Sequence, residues 1–82
     1  MDCRTIMAVT IDKRVKEAPK VQEVLTKHGC IIGLRIGLHE TMNVCADNGL
    51  IILSLCGSKK EVAALKADLN KIKGVKSKTM AV

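Results

Sequence analysis

The chain has 82 residues, with 14 Lys and Arg against 8 Asp and Glu for a formal charge of +6, and it contains no Phe, Trp or Tyr. A domain of this size buries only about 60% of the surface its unfolded chain exposes, and its largest apolar side chains are Leu, Ile and Met, so self-association is an expected supplement to a thin core. Direct nucleic-acid binding is not expected despite the positive charge, because no basic run exceeds two residues and no aromatic ring is present to stack on a base.

Residues Cys3 to Ile11 alternate, with Cys3, Thr5, Met7, Val9 and Ile11 on one side and Arg4, Ile6, Ala8 and Thr10 on the other. This predicts a strand with two usable faces. Asp12-Lys13-Arg14 breaks the alternation, and from about Lys16 the positions Val21, Val24, Leu25 and His28 follow the spacing of an amphipathic helix. Pro19 is expected in the first turn, where its missing N–H costs nothing, and Gly29 at the helix end. The stretch Cys30 to Leu38 predicts a second strand, with Cys30, Ile32, Leu34, Ile36 and Leu38 on one face and Ile31, Gly33, Arg35 and Gly37 on the other. One of these faces is expected to be core.

His39 to Gly49 is polar and closes on Asp47-Asn48-Gly49, a turn signal, so a mobile hairpin loop is expected there. Leu50 to Cys56 is a nearly unbroken apolar run and predicts a central strand. Gly57-Ser58 offers a turn and an N-cap, with Glu61 three residues after Ser58 as in a capping box. The helix stripe that follows is Val62, Leu65, Leu69 and Ile72, stopped by Gly74. Val75 to Val82 predicts a last strand in which Lys76 and Lys78 suit a sheet edge.

The order β-α-β-β-α-β over residues 1–82, with no linker or low-complexity segment, predicts a single α+β domain. It is a ferredoxin-like sandwich, a four-stranded antiparallel sheet with both helices on one face. If the helices cover Met7, Val9 and Ile11, the other face still carries Ile6, Ala8 and part of the Leu50 to Cys56 run. A homo-oligomer, dimer or tetramer, is expected to bury it.

The cysteines Cys3, Cys30, Cys45 and Cys56 form no C-x-x-C pair and follow no signal-peptide pattern, so reduced thiols in a cytoplasmic protein are expected. Each falls in or beside a predicted strand, where a small buried hydrophobe is the default role. No apolar run approaches the roughly 18–20 residues of a membrane span, and no membrane partner is expected. His39 with Cys45 is a candidate metal-ligand pair, with Cys56 as a third ligand. The loop Asp12 to Pro19 offers no phosphate cradle, so no catalytic residue and no cofactor are assigned.

Several stretches together resemble a known group: Pro19-Lys20-Val21 with Glu23-Val24-Leu25, His28-Gly29 with Ile31-Ile32, Arg35-Ile36-Gly37-Leu38, and Lys73-Gly74-Val75-Lys76. They are similar to the small ACT-like regulators proposed for iron-only hydrogenase systems, and in turn to ACT domains and the C-terminal domain of the nickel-responsive transcriptional regulator. The resemblance implies a non-enzymatic regulatory or sensing domain that binds a small effector at a subunit boundary. Carried onto this chain, the effector positions are Asp12, Gly33, Arg35 and Gly37. Glycines admit a ligand, and Arg35 can pair bidentately with a carboxylate or stand as a charge at the sheet surface or in a subunit contact. The metal positions of the nickel regulator fall on Arg35, Gly37 and Gly49, which do not supply that ligand set, so the resemblance implies no resident metal. Docking on a partner protein through the open sheet face or the basic helix surface is the competing reading. No helix-turn-helix or DNA-reading ribbon is evident, so control of transcription would run through another molecule.

Overall fold

The strands and helices follow one another in the order that the hydrophobic periods predict. The structure, a computed structural model, describes residues 3–12, 14–38 and 49–82. Strand β1 is Thr5–Ile11, helix α1 Arg14–Lys27, strand β2 Ile32–Leu38, strand β3 Gly49–Leu55, helix α2 Lys59–Asn70 and strand β4 Val75–Ala81. The strands form one antiparallel sheet in the order β2-β3-β1-β4. Met7, Val9 and Ile11 of β1 and Ile51, Leu53 and Leu55 of β3 pack in one cluster with Val21 and Leu25 of α1 and Leu65 and Leu69 of α2. Both helices therefore cover the same face, as in an α+β ferredoxin-like, ACT-like sandwich. No helix among the described residues is long and apolar enough to cross a membrane.

Helix α2 begins where the sequence marks it. The Ser58 hydroxyl accepts from the Glu61 backbone N–H at 3.2 Å, and the Glu61 carboxylate accepts from the Ser58 N–H at 3.0 Å. Two N–H groups that a helix start would leave unpaired are thereby satisfied. The Ser58 backbone N–H first, and the Ser58 side chain second, hold the Glu61 carboxyl below its ordinary pKa.

Helix α1 starts two residues ahead of the predicted Lys16, at Arg14, which puts Pro19 inside the helix and past its first turn. There it cannot donate to the carbonyl four residues earlier. At the other end the chain does not pass straight from helix to strand. Gly29–Ile31 forms a single 3-10 turn, the Ile31 carbonyl accepts the Cys56 N–H at 2.7 Å, and β2 begins only at Ile32. Cys30 consequently lies exposed in that turn.

The aliphatic face of β2 is not core. Leu34 pairs with Ser54 and Ile36 with Ile52, residues that alternate with the buried Leu53 and Leu55 and so point away from the helices. Leu34 is 57% and Ile36 48% exposed. An irregularity between Ile32 and Leu34 inserts Gly33 as an extra residue and shifts the register. Alternation along one strand fixes two faces but does not say which meets the helices; strand order and this insertion decide it.

Two expectations for the cysteines are also corrected. Cys3 and Cys56 form a disulfide across 53 residues of sequence. Neither of these two is a reduced thiol, and Cys30 is a free, exposed one. Antiparallel pairing of Thr5 with Leu55 brings the start of β1 beside the end of β3, which is what lets the two sulfurs meet.

Gly74 ends the α2 turn at φ 83°, and a Cβ there would stand 3.2 Å from the Asp12 carbonyl oxygen. The left-handed region costs a residue with a Cβ roughly 1–2 kcal/mol. Gly74→Ala is accordingly expected to lower stability by at least about 1 kcal/mol in chemical denaturation. An unchanged midpoint would mean that the turn relaxes to negative φ.

Candidate functional site

The sequence-predicted effector residues fall in three separate settings. Arg35 and Gly37 share the helix-facing side of the edge strand β2, paired with Leu53 and Ile51. The Arg35 guanidinium donates to the Gln22 side-chain oxygen on α1 at 2.9 Å, and a Cβ on Gly37 would meet nothing within 4 Å. An exposed cation beside bare backbone leaves room for an incoming group.

Gly33 stands differently. A Cβ there would be 2.8 Å from the Cys56 sulfur, so close packing against the disulfide accounts for the missing side chain. Asp12 lies exposed just beyond β1, and its N–H donates to the Gly74 carbonyl at 2.8 Å, joining the β1–α1 connection to the start of β4. Strand β3 separates β1 from β2, so Asp12 is roughly 10 Å from the Gly37 strand at the usual spacing between neighbours. Within one chain Arg35 and Gly37 are brought together, while Asp12 and Gly33 are not.

The open face of the sheet is the second feature. One row across the strands is Ile36, Ile52, Ala8 and Lys78, and the next is Leu34, Ser54, Ile6 and Met80. Leu34, Ile36 and Met80 are each about half exposed, from 48% to 58%. This apolar area is densest over β2, β3 and β1. Lys76 and Lys78 bound it along β4.

A polar cluster links the ends of the two helices. The half-buried His28 ring nitrogen Nε2 lies 2.8 Å from Asp68 Oδ2, and the Lys27 ammonium donates to the same oxygen at 3.3 Å. The His28 bond first, then the Lys27 bond, hold the Asp68 carboxyl below its ordinary pKa of 3.8. An ionised carboxylate only accepts, so the His28 nitrogen facing it carries the proton.

A carboxyl whose pKa is depressed by folding contributes stability above its unfolded pKa and loses it as the pH falls through the lower folded value. Asp68→Asn is therefore expected to be less stable than wild type at pH 7 and to show a shallower loss of stability below about pH 4. A wild-type-to-variant difference that is constant from pH 7 to pH 3 would remove Asp68 from the acid transition.

Among the described residues no group of three or more His, Cys, Asp and Glu side chains could hold a metal ion. The candidate pair His39 and Cys45, and the hairpin loop before Gly49, lie outside the described residues. The sequence reading missed both the Cys3–Cys56 bond and the His28–Asp68 contact. The first was accessible, because the split βαβ order already sets the start of β1 beside the end of β3. The second depends on how α1 sits against α2, for which no local signal exists.

Comparison with known proteins places the arrangement. The structure of protein TM1266 from Thermotoga maritima superposes with a TM-score of 0.83 at 27% sequence identity, over 95% of this chain and 94% of that one. A formyltetrahydrofolate deformylase from Pseudomonas putida KT2440 superposes with a TM-score of 0.61 over 95% of this chain. That match covers 28% of the deformylase at 11% identity and shows a shared fold alone. No curated protein matches the chain in sequence. The sequence model of the TM1266-like group, proposed regulators of iron-only hydrogenase systems, matches residues 4–79. With nearly its whole length matched, and with the fold of TM1266 itself, the chain belongs to the TM1266-like family of proposed iron-only hydrogenase system regulators.

Proposed function

We propose that this chain is a non-enzymatic regulatory domain of the cytoplasm. It associates with copies of itself through the open face of the sheet and holds a small effector at the subunit boundary. Membership of a family of proposed regulators supports the regulatory role. The observation that carries the assembly is the apolar open face, with Leu34, Ile36 and Met80 each about half exposed, from 48% to 58%, around Ile6, Ala8 and Ile52. A monomer would leave this face in water, and a second copy presents the same face to it.

The effector reading rests on Arg35 and the open backbone of Gly37. Asp12 contributes only if a neighbouring copy brings its own Asp12 loop to that strand, and Gly33 supplies clearance for the Cys56 sulfur rather than a ligand contact. A carboxylate is the group that a guanidinium in this position recognises best.

Native mass spectrometry of anaerobically purified protein tests both parts. The expected result is a dimer or tetramer carrying a reproducible small extra mass, with the extra mass lost and the oligomer kept in Arg35→Ala. A bare monomer would overturn the assembly, and an oligomer without any added mass would overturn the effector.

A further inference from the structure

A cleft of about 520 Å³ opens at the end of the sheet opposite the Asp12 connection, between the start of β1, the end of β4 and the first half of α2. Its existence follows from side-chain size. Leu65 and Leu69 are the buried residues of α2, and beyond them the sheet offers only Thr5, Thr79 and Ala81, too small to fill the space beneath the first turns of the helix.

The helical wall has a regular composition. Lys59, Val62, Ala63 and Lys66 line the cleft and stand at i, i+3, i+4 and i+7, the positions that share one helix face. Val62 and Ala63 thus lie between two lysines about two turns apart on the helix, and Arg4 lines the other side. Among the described residues no Asp or Glu side chain lines the cleft. Glu61, the nearest acidic residue on α2, has its carboxylate engaged by the Ser58 N–H.

The walls are also fixed relative to one another. The Cys3–Cys56 bond ties the residue before Arg4 to the residue before Gly57, and the Val82 N–H donates to the Arg4 carbonyl at 2.8 Å. Such a cleft needs little reordering on binding, and its volume falls in the range of ordinary small-molecule sites.

We propose that this cleft binds a small aliphatic anion, its apolar body over Val62 and Ala63 and its phosphate or carboxylate head at one of the two flanking lysines, Lys59 or Lys66. The chain has no aromatic residue, so the body is aliphatic rather than a stacked base or ring. The site lies apart from Arg35 and Gly37 and does not depend on the effector reading above.

Isothermal titration of the whole chain with n-butyl phosphate, 4-methylpentanoate and inorganic phosphate tests it. One of the two aliphatic probes is expected to bind at least tenfold more tightly than inorganic phosphate, and which one identifies the head group. The double variant Lys59→Gln/Lys66→Gln is expected to weaken that binding at least tenfold. Lys71→Gln, just past the far end of α2, and Arg35→Ala are expected to leave it unchanged. The proposal is overturned if neither aliphatic probe binds at millimolar concentration, if inorganic phosphate binds equally well, or if Lys71→Gln weakens binding as much as the double variant. Loss on Arg35→Ala alone would assign the probe to the β2 site instead.

Discussion

Replacing Leu53 by Ala is expected to lower the melting temperature by about 10–20 °C. Leu53 is fully buried on β3, between β1 and β2, with Met7 as its partner across the β1 register. Leu→Ala changes in packed cores cost about 2–5 kcal/mol, and more where the surroundings cannot close the cavity. Here the neighbour is methionine, unbranched and able to fill irregular space, which points to the lower part of that range, about 2–3 kcal/mol. Each kcal/mol shifts a domain of this size by about 4–8 °C. The loss is serious because small domains hold only about 5–15 kcal/mol in total, and this core contains no aromatic residue to add area. Ser54→Ala, the adjacent residue on the other face of the strand, is the control and is expected within about 0.5 kcal/mol of wild type. A fall of under about 5 °C for Leu53→Ala would contradict its place at the centre of the core.

Ile36→Asp is expected to abolish the proposed self-association and leave a folded monomer. In the single chain Ile36 is 48% exposed on an edge strand, so a carboxylate there reaches water at little cost. Between two sheet faces the same carboxylate is buried without a partner, a penalty of several kcal/mol. Where two faces meet about a two-fold axis, each contact carries the substitution twice. At about 1.4 kcal/mol per tenfold change in affinity, the variant is expected to lose association by a factor of roughly 100 or more. Light scattering after size exclusion, with far-UV circular dichroism to follow the fold, separates the two effects. A variant of wild-type mass would place the contact elsewhere on the molecule and return the open face to a different protein partner.

The secondary structure was legible because each element has its own local cause. Alternating residues in β1, the nearly unbroken apolar run of β3, the helical stripes at Val21 and Leu25 and at Leu65 and Leu69, the Ser58–Glu61 capping box and the glycine stop at Gly74 are all short-range signals. Their order is enough to specify a split βαβ sandwich, since two helices in a small domain must cover one face of a four-stranded sheet. Boundaries were less legible at the α1–β2 junction. There the 3-10 turn of Gly29–Ile31 is held by a bond from Cys56, a residue remote in sequence.

What only the tertiary structure decided is everything that depends on which faces meet. The period of β2 separates Leu34 and Ile36 from Arg35 and Gly37 but is blind to their destination. The pairing with β3 turns the aliphatic set outward and lays Arg35 against Gln22 of α1. Gly33 reads in sequence as an opening for a ligand and in three dimensions as clearance for the Cys56 sulfur. The disulfide, the His28–Asp68 contact and the cationic cleft each join residues from separate elements. Local sequence determines the conformation of a segment through its own backbone and side chains, whereas a contact between segments is set by the packing of the whole sheet and both helices together.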